Sequence, residues 1–306
     1  MEKKPWAAEY VVTPIQAQRW IEAQFPQLAP VRVHVVGKGF DNTVFKVNER
    51  YIFRFPRRTI AVALMEVENA ILPSLSDQLP LPIPVPQFLG RAVADEFPWF
   101  FTGYAMIQGY PPQVSTETDW APNASQLARF LKALHAFPVA KARQLGVPYD
   151  EIQRLDIIKQ KHTILPYLKR IKESGLYASF QDLNDYIDNV PVLEEQFNPT
   201  LIHGDLHIRN FLVDQSNHIA GVIDWGDAHI GHPAIDLSLI YSFLPAEGRS
   251  LFFAEYGQVD EYTQTVARFK ACYSSIILLV YGFDHRDMPL VKAAQQSLNH
   301  ILYPSC

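Results

Sequence analysis

The chain has 306 residues, 48% hydrophobic and 19% charged, with a net charge of −5. This length supports one large domain or two lobes with separate cores, and the mildly acidic balance leaves no basic footprint for nucleic acid. Only Cys272 and Cys306 are present and they form no spaced set, so neither a disulfide framework nor a thiolate metal site is expected, which fits a reducing compartment.

The first residues lack the apolar core of a secretory signal. The longest apolar run, around Ile276 to Val280, is too short to span a bilayer. No membrane partner and a cytoplasmic location are therefore expected. Thr13 before Pro14 reads as an N-cap with proline at the first helical position. Gln16, Trp20, Ile21 and Phe25 continue a helix ending before Pro26. Val31, Val33 and Val35 alternate, Val44 and Phe45 lie in a second apolar segment, and Tyr51 to Phe55 follow the turn at Asn48-Glu49-Arg50. These segments predict three antiparallel strands. Gly37 and Gly39 lie between the first two. A glycine loop there either brings backbone N–H groups close to phosphates or simply turns a hairpin.

In the third strand Tyr51, Phe53 and Phe55 share one face, so Arg54 points the other way. Residues 61–75 carry Leu64, Val67, Ile71 and Leu75 at helical spacing, with Glu66 and Glu68 among them. The proline-rich run from Leu79 to Pro86 can be neither helix nor central strand and reads as an extended connector. Strands are expected near 87–93 and 99–106. The composition breaks at Ile107-Gln108-Gly109-Tyr110-Pro111-Pro112. A boundary there divides an N-terminal lobe, 1–108, from a helical lobe, 109–306. Beyond it, Leu127, Phe130, Leu131 and Leu134 share a helical face. Further helices are predicted over 151–173, 180–189, 191–196, 234–241, 249–256, 259–282 and 288–302, the last capped by Asp287.

The stretch from Thr200 to Asp236 is the most informative. His203-Gly204-Asp205 turns sharply, Phe211 to Val213 and Ile219 to Ile223 form a hairpin, and Asp224 follows its return strand. Asp205, Asn210 and Asp224 are thus gathered around one hairpin. Such oxygen groups suit phosphoryl transfer, which needs positioning and charge neutralisation more than covalent help. Asn210 and Asp224 could ligate Mg²⁺, a hard ion that prefers oxygen. Asp205 could accept the proton of an attacking hydroxyl. The neighbouring histidines, His203 and His207 included, read as hydrogen-bonded rather than metal-ligating.

The run His203-Gly204-Asp205-Leu206-His207-x-Arg209-Asn210-x-Leu212-x-Asp214, then Ile223-Asp224-Trp225-Gly226-Asp227 and Gly231-x-Pro233-Ala234-x-Asp236-Leu237, resembles the aminoglycoside phosphotransferase family. The resemblance implies an α+β, two-lobed protein-kinase-like fold, with a small antiparallel-sheet N-lobe and a mostly helical C-lobe. It implies Asp205 as catalytic base, Asn210 and Asp224 as metal ligands for Mg²⁺, and Asp236 as a support of the catalytic loop. It also implies that the loop with Gly37, Gly39 and Asn42 covers the phosphates of ATP or GTP. Backbone at Met106 and Ile107 would then form the hinge that holds the base. Where the family carries a lysine paired with a helix glutamate, this chain resembles it with Arg54, and Glu68 is the better match for the partner, Glu66 the other.

The implied partners are a nucleoside triphosphate and a small-molecule acceptor, most readily an aminoglycoside-type antibiotic. Macrolide, choline or homoserine-type kinases, or a catalytically silent nucleotide-binding pseudokinase, are the alternatives. For a polyamine sugar, Asp227, Glu255, Asp260, Glu261, Asp284 and Asp287 are the candidate carboxylates. For a more apolar acceptor, Tyr256, Tyr281 and Phe283 are the candidate aromatics.

Overall fold

The computed structural model describes residues 8–38, 41–112, 120–192 and 197–303. Helix α1 (Pro14–Gln24) begins where Thr13 and Gln16 form a capping box, and it buries Ala17, Trp20 and Ile21. Strands β1 (Val33–Lys38), β2 (Asn42–Val47) and β3 (Tyr51–Pro56) follow. With β4 (Pro86–Gly90) and β5 (Phe101–Ala105) they make a five-stranded sheet in the order β1-β2-β3-β5-β4. Every pairing in it is antiparallel. Gly39 lies outside the described residues. β4 and β5 are shorter than their apolar patterns suggested, because pairing beyond Gly90 shrinks to one bridge between Val93 and Phe97.

Strand alternation gives this sheet two different faces. Phe45, Phe53, Phe55 and Phe101 pack on one face with Trp20 and Phe97, and the Phe55 and Phe101 rings stack at 4.4 Å. Val44, Arg54 and Thr102 stand in cross-strand register on the other. Helix α2 (Thr59–Ser76) lies against that second face. Its Asn69 donates to Thr102 Oγ1 at 2.9 Å. The buried stripe of α2 runs through Ala61, Met65, Glu68, Leu72 and Leu75. Ile71 is buried with them, so the spacing read from the sequence holds at Ile71 and Leu75, while Leu64 and Val67 are only half-buried. The stripe carries a buried glutamate opposite Arg54.

The connector from Leu79 to Pro86 is extended up to β4, as anticipated. Leu79, Leu81 and Ile83 are buried at alternate positions and join the core of the helical part. The carbonyl of Pro82 accepts from Val222 N at 2.9 Å. At the crossing, Gly109 has φ +151°, and a Cβ there would lie 2.9 Å from both Leu212 Cβ and Val213 O. Glycine therefore lets the crossing segment lie flat on the later hairpin. Tyr110 and Val213 exchange both backbone bonds, at 2.9 and 2.8 Å.

The remaining elements are α3 (Trp120–His135), α4 (Val139–Gln144), α5 (Ile157–Ser174) and α6 (Phe180–Asn189), then β6 (Thr200–Ile202), β7 (Phe211–Val213), β8 (Ile219–Val222) and β9 (His229–Gly231). Helices α7 (Ala234–Phe243), α8 (Ala246–Tyr256), α9 (Glu261–Asp284) and α10 (Met288–Leu302) complete it. β6 pairs with β9, and β7 with β8. The architecture is mixed α+β, a small antiparallel sheet followed by a mostly helical part.

Two short elements, α4 and β9, carry too little periodicity to be read from sequence. Helix α5 starts six residues later than the predicted 151, at Ile157. Asp156 caps it there, accepting from Lys159 N at 3.0 Å, while Asp150 folds the preceding residues into a turn by accepting from Ile152 N and Arg154 N. The helix expected over 191–196 is not formed at Pro191 and Val192, and 193–196 lie outside the described residues. By length and composition α2 and α9 could cross a membrane. Helix α9 instead packs against α5, α7 and α10.

Candidate active site

Strand β6 leads directly into the turn His203-Gly204-Asp205. Gly204 has φ +85°, and a Cβ there would lie 2.1 Å from Asp227 O. No other residue fits without moving one of the two loops. Asp236, fully buried in the first turn of α7, fixes this turn from behind. It accepts from His203 N at 2.8 Å and Gly204 N at 2.9 Å. Its Oδ2 lies 3.3 Å from His135 Nε2, and His135 Nδ1 lies 2.7 Å from the Tyr256 hydroxyl. Burial alone would push the Asp236 carboxyl up. The hydrogen bond and charge of His135, helped by His203, hold it below the ordinary carboxylate value.

Asn210 Nδ2 donates to Asp205 O at 2.7 Å and to Asp205 Oδ2 at 3.1 Å. Both its donors are thereby turned toward Asp205, which leaves Oδ1 as an acceptor. The Asp205 side chain is 46% exposed, with His207 Nε2 at 3.5 Å from its Oδ2. Burial raises this carboxyl, but His207, then His203 and Lys270, more than reverse that and hold it below its ordinary value. Asp205 is thus ionised near neutral pH, as a proton acceptor must be.

Ile223 N donates to Asn210 O at 2.9 Å, which ties the return strand to the catalytic turn. Asp224 follows at φ +65°, a backbone region that non-glycine residues occupy at a cost and that recurs at functional sites. Trp225 anchors the segment. It is fully buried, donates to Val222 O at 3.3 Å, and packs its ring 4.7 Å from that of His203. The Asp224 carboxylate is exposed and makes no hydrogen bond or ion pair among the described residues. The unengaged Asp224 carboxylate and the Asn210 Oδ1 left as an acceptor are both hard oxygen donors of the kind that Mg²⁺ takes. No group of three or more His, Cys, Asp and Glu side chains forms a self-contained metal site among the described residues. A cation here would therefore share its coordination with phosphate oxygens and water.

Arg54 and Glu68 are both buried and meet in a two-pronged ion pair, Nη2 to Oε1 at 3.0 Å and Nη1 to Oε2. Burial would lower the guanidinium, and the facing Glu68 carboxylate reverses this, so Arg54 is held firmly charged. Glu66 is exposed and takes no part. The Asp224 segment closes on the pair, since a Cβ at Gly226 would sit 3.3 Å from Glu68 Oε1. Beside them, burial pushes the Tyr104 phenol up to about 12.

On the β1–β2 hairpin, a Cβ at Gly37 would meet nothing within 4 Å among the described residues. Asn42 is buried, and its Oδ1 has no partner among the described residues. Met106 N donates to Arg50 O at 2.8 Å and so completes the sheet. Ile107 lies against the hairpin, where a Cβ at Gly221 would come within 2.7 Å of its Cγ2.

Two basic groups that the sequence did not single out lie around Asp227, whose carbonyl abuts Gly204. Arg154 bridges Asp150 at 2.9 Å and Asp227 at 2.8 Å. Lys270, on α9, lies within electrostatic reach of Asp205, Asp227 and Asp150. Neither has a sequence signature, because a lone basic residue near a helix start or on a helix face reads as solvated surface.

The model of the phosphotransferase enzyme family (APH) matches residues 17–272. The chain belongs to this family. Among solved structures, the GDP complex of wild-type aminoglycoside 2'-phosphotransferase-IIIa superposes with a TM-score of 0.70 at 24% identity, covering 95% of this chain and 99% of that one. The streptomycin–ATP–APH(2")-IIa ternary complex gives 0.59 at 20% identity, covering 96% and 99%. Macrolide 2'-phosphotransferase type I gives 0.57 at 20%, covering 94% and 98%. These likenesses establish the kinase-like fold of this phosphotransferase family member. Uncharacterized protein YcbJ of Bacillus subtilis (strain 168) is 37% identical over 57 residues, which are 19% of this chain and 18% of that protein.

Proposed function

We propose that this chain moves the terminal phosphate of ATP or GTP onto a hydroxyl of a small molecule. The observation that carries the reading is the placement of Asp205, hydrogen-bonded by Asn210, beside the unengaged Asp224 and the Asp224 segment's contact with the Arg54–Glu68 pair. Asp205 would accept the hydroxyl proton as that oxygen bonds to the terminal phosphorus. The bond from phosphorus to the bridging oxygen breaks, and the nucleoside diphosphate leaves with the electron pair. Asn210 Oδ1 and the Asp224 carboxylate would hold Mg²⁺, which when bound neutralises phosphate charge. Arg54, fixed by Glu68, would orient the phosphates beneath the backbone at Gly37, with Asn42 offering its unpaired oxygen nearby. The segment at Met106 and Ile107 would border the base.

An aminoglycoside-type antibiotic is the acceptor suggested by the motif, and the neighbouring solved structures include complexes with kanamycin and streptomycin. A second reading, a kinase of another small alcohol, is supported by the likeness to macrolide 2'-phosphotransferase type I. The pseudokinase alternative loses its one motive, because Arg54 finds the glutamate partner that a kinase-like phosphate contact requires. Titration calorimetry with and without Mg²⁺ tests the reading. Wild-type protein should bind nucleotide more tightly with Mg²⁺, and Asp224→Ala should lose that gain. Binding that ignores Mg²⁺ equally in both proteins would contradict it.

A further inference from the structure

The backbone of Asp224 is left-handed, with φ +65°. In a non-glycine residue that conformation costs energy and persists only where the neighbours over-determine it. Upstream, Ile223 N is bonded to Asn210 O at 2.9 Å. Downstream, the chain makes one tight turn, with Ala228 N donating to Trp225 O at 3.0 Å, before β9 begins at His229. Asp227 lies within that turn.

Asp227 is gripped at both its carbonyl and its carboxylate. His229 Nδ1 lies 2.7 Å from the carbonyl oxygen. The same oxygen rests on Gly204, where a Cβ would come within 2.1 Å of it. The carboxylate, one of those the sequence offered to a polyamine, takes Arg154 Nη2 at 2.8 Å instead. Arg154 is itself fixed. Its Nη1 donates to Asp150 Oδ1 at 2.9 Å, and its backbone N to Asp150 Oδ2 at 2.9 Å. Asp150 N in turn donates to Ile230 O at 3.0 Å, and Ile230 N to Pro148 O at 2.8 Å. The segment before α5 is therefore stitched to β9, and Arg154 reaches from it to the turn. This pair is poorly placed to hold up the fold, because the Asp227 side chain is 51% exposed and ion pairs open to water add little to stability. The planar fork of Arg154 spans two carboxylates, however, so it fixes where the Asp227 carboxylate stands as well as neutralising it.

Resting on the phosphotransfer reading above, with Asp224 as a ligand of Mg²⁺, we infer that Arg154 is a positioning residue for the Asp224 carboxylate. It acts through Asp227. The ion pair holds the turn that keeps Asp224 left-handed, and Arg154 touches neither nucleotide nor acceptor. Freed of Arg154, the turn relaxes toward an ordinary backbone, and the Asp224 carboxylate is no longer held in one orientation. Metal binding must then order the turn as well, which weakens it.

The test is titration calorimetry of non-hydrolysable ATP and GTP analogues with the full-length protein over a series of Mg²⁺ concentrations, with urea unfolding read on the same proteins. Arg154→Met should raise the Mg²⁺ concentration that gives half of the gain in analogue affinity by about 10–100-fold, the usual weight of a group that orients a metal ligand. Analogue binding without Mg²⁺ and the urea midpoint should stay near wild type. Arg154→Lys should recover part of the shift, since it keeps the charge without the fork. Asp227→Asn should shift the Mg²⁺ response in the same direction, and the double variant should be no worse than Arg154→Met alone, because the two residues act as one unit. An Arg154→Met protein with the wild-type Mg²⁺ response, one that loses analogue binding equally with and without Mg²⁺, or one that does not fold would each overturn the inference. So would effects of Arg154→Met and Asp227→Asn that simply add. A wild type that binds neither analogue, or binds them without regard to Mg²⁺, removes the phosphotransfer reading. A wild type that responds to Mg²⁺ beside an Arg154→Met variant that responds equally removes this inference alone.

Discussion

Arg54 and Glu68 illustrate how one residue can serve stability and a site together. Each is buried, and each is the other's counter-charge. Deleting one partner of such a pair costs about 3–5 kcal/mol, because it strands a buried charge, while replacing both with apolar residues can be nearly neutral. Arg54→Met should therefore lower stability in urea by roughly that amount. Arg54→Met combined with Glu68→Leu should recover most of it without recovering nucleotide affinity. Arg54→Lys keeps the charge but loses the planar fork, so it should retain measurable activity with weaker nucleotide binding. An Arg54→Met protein as stable as wild type would show that the pair is not energetically coupled. The strand alternation that separated Arg54 from Phe53 and Phe55 was legible in the sequence, since it is a period-two property of the backbone. The pairing of Glu68 was legible only through the resemblance, because a charge within an apolar helix stripe carries no sign of its partner on another element.

At the scale of elements, the catalytic turn is a product of β6, β7 and α7 acting together. The local spacing from His203 to Asn210 was readable because Asn210 binds back to Asp205 and His207 within the loop. The role of Asp236 as a support, implied by the resemblance, is realised by two backbone bonds and by His135 from α3, which sequence distance concealed. The start of α5 was misread because Asp150 and Asp156 are both good turn and cap residues, and only the fold decides which ends the helix.

The Asp236 carboxyl is held below its ordinary 3.8 in the folded protein. A depressed acid adds stability above its unfolded value and loses it as the pH falls through the folded one. Asp236→Asn should then be less stable at pH 7, by about 1.5–3 kcal/mol for each weakened charged hydrogen bond. Its stability should also fall less steeply than that of wild type below about pH 4. Urea titrations at a series of pH values measure both effects, and identical slopes in the two proteins would mean that Asp236 is not the ionised support described here.

For the whole molecule, the aromatic core under the sheet and the larger helical core meet along the proline connector and the crossing at Gly109. The β7–β8 hairpin bonds to both segments, through Pro82 and Tyr110. The Arg54–Glu68 pair and the Asp205 turn are thus tied to one small hairpin. The proposed division of labour, nucleotide at the pair and hydroxyl at the turn, is tested most directly by transfer itself. Protein incubated with Mg²⁺, terminally labelled ATP or GTP and a set of hydroxyl acceptors should move label onto one of them. Asp205→Asn should keep its fold and nucleotide binding while that transfer falls by about 10²–10⁴-fold, the usual weight of general-base help. Label transfer by Asp205→Asn at the wild-type rate, or nucleotide binding by the wild type without transfer to any hydroxyl, would contradict the account.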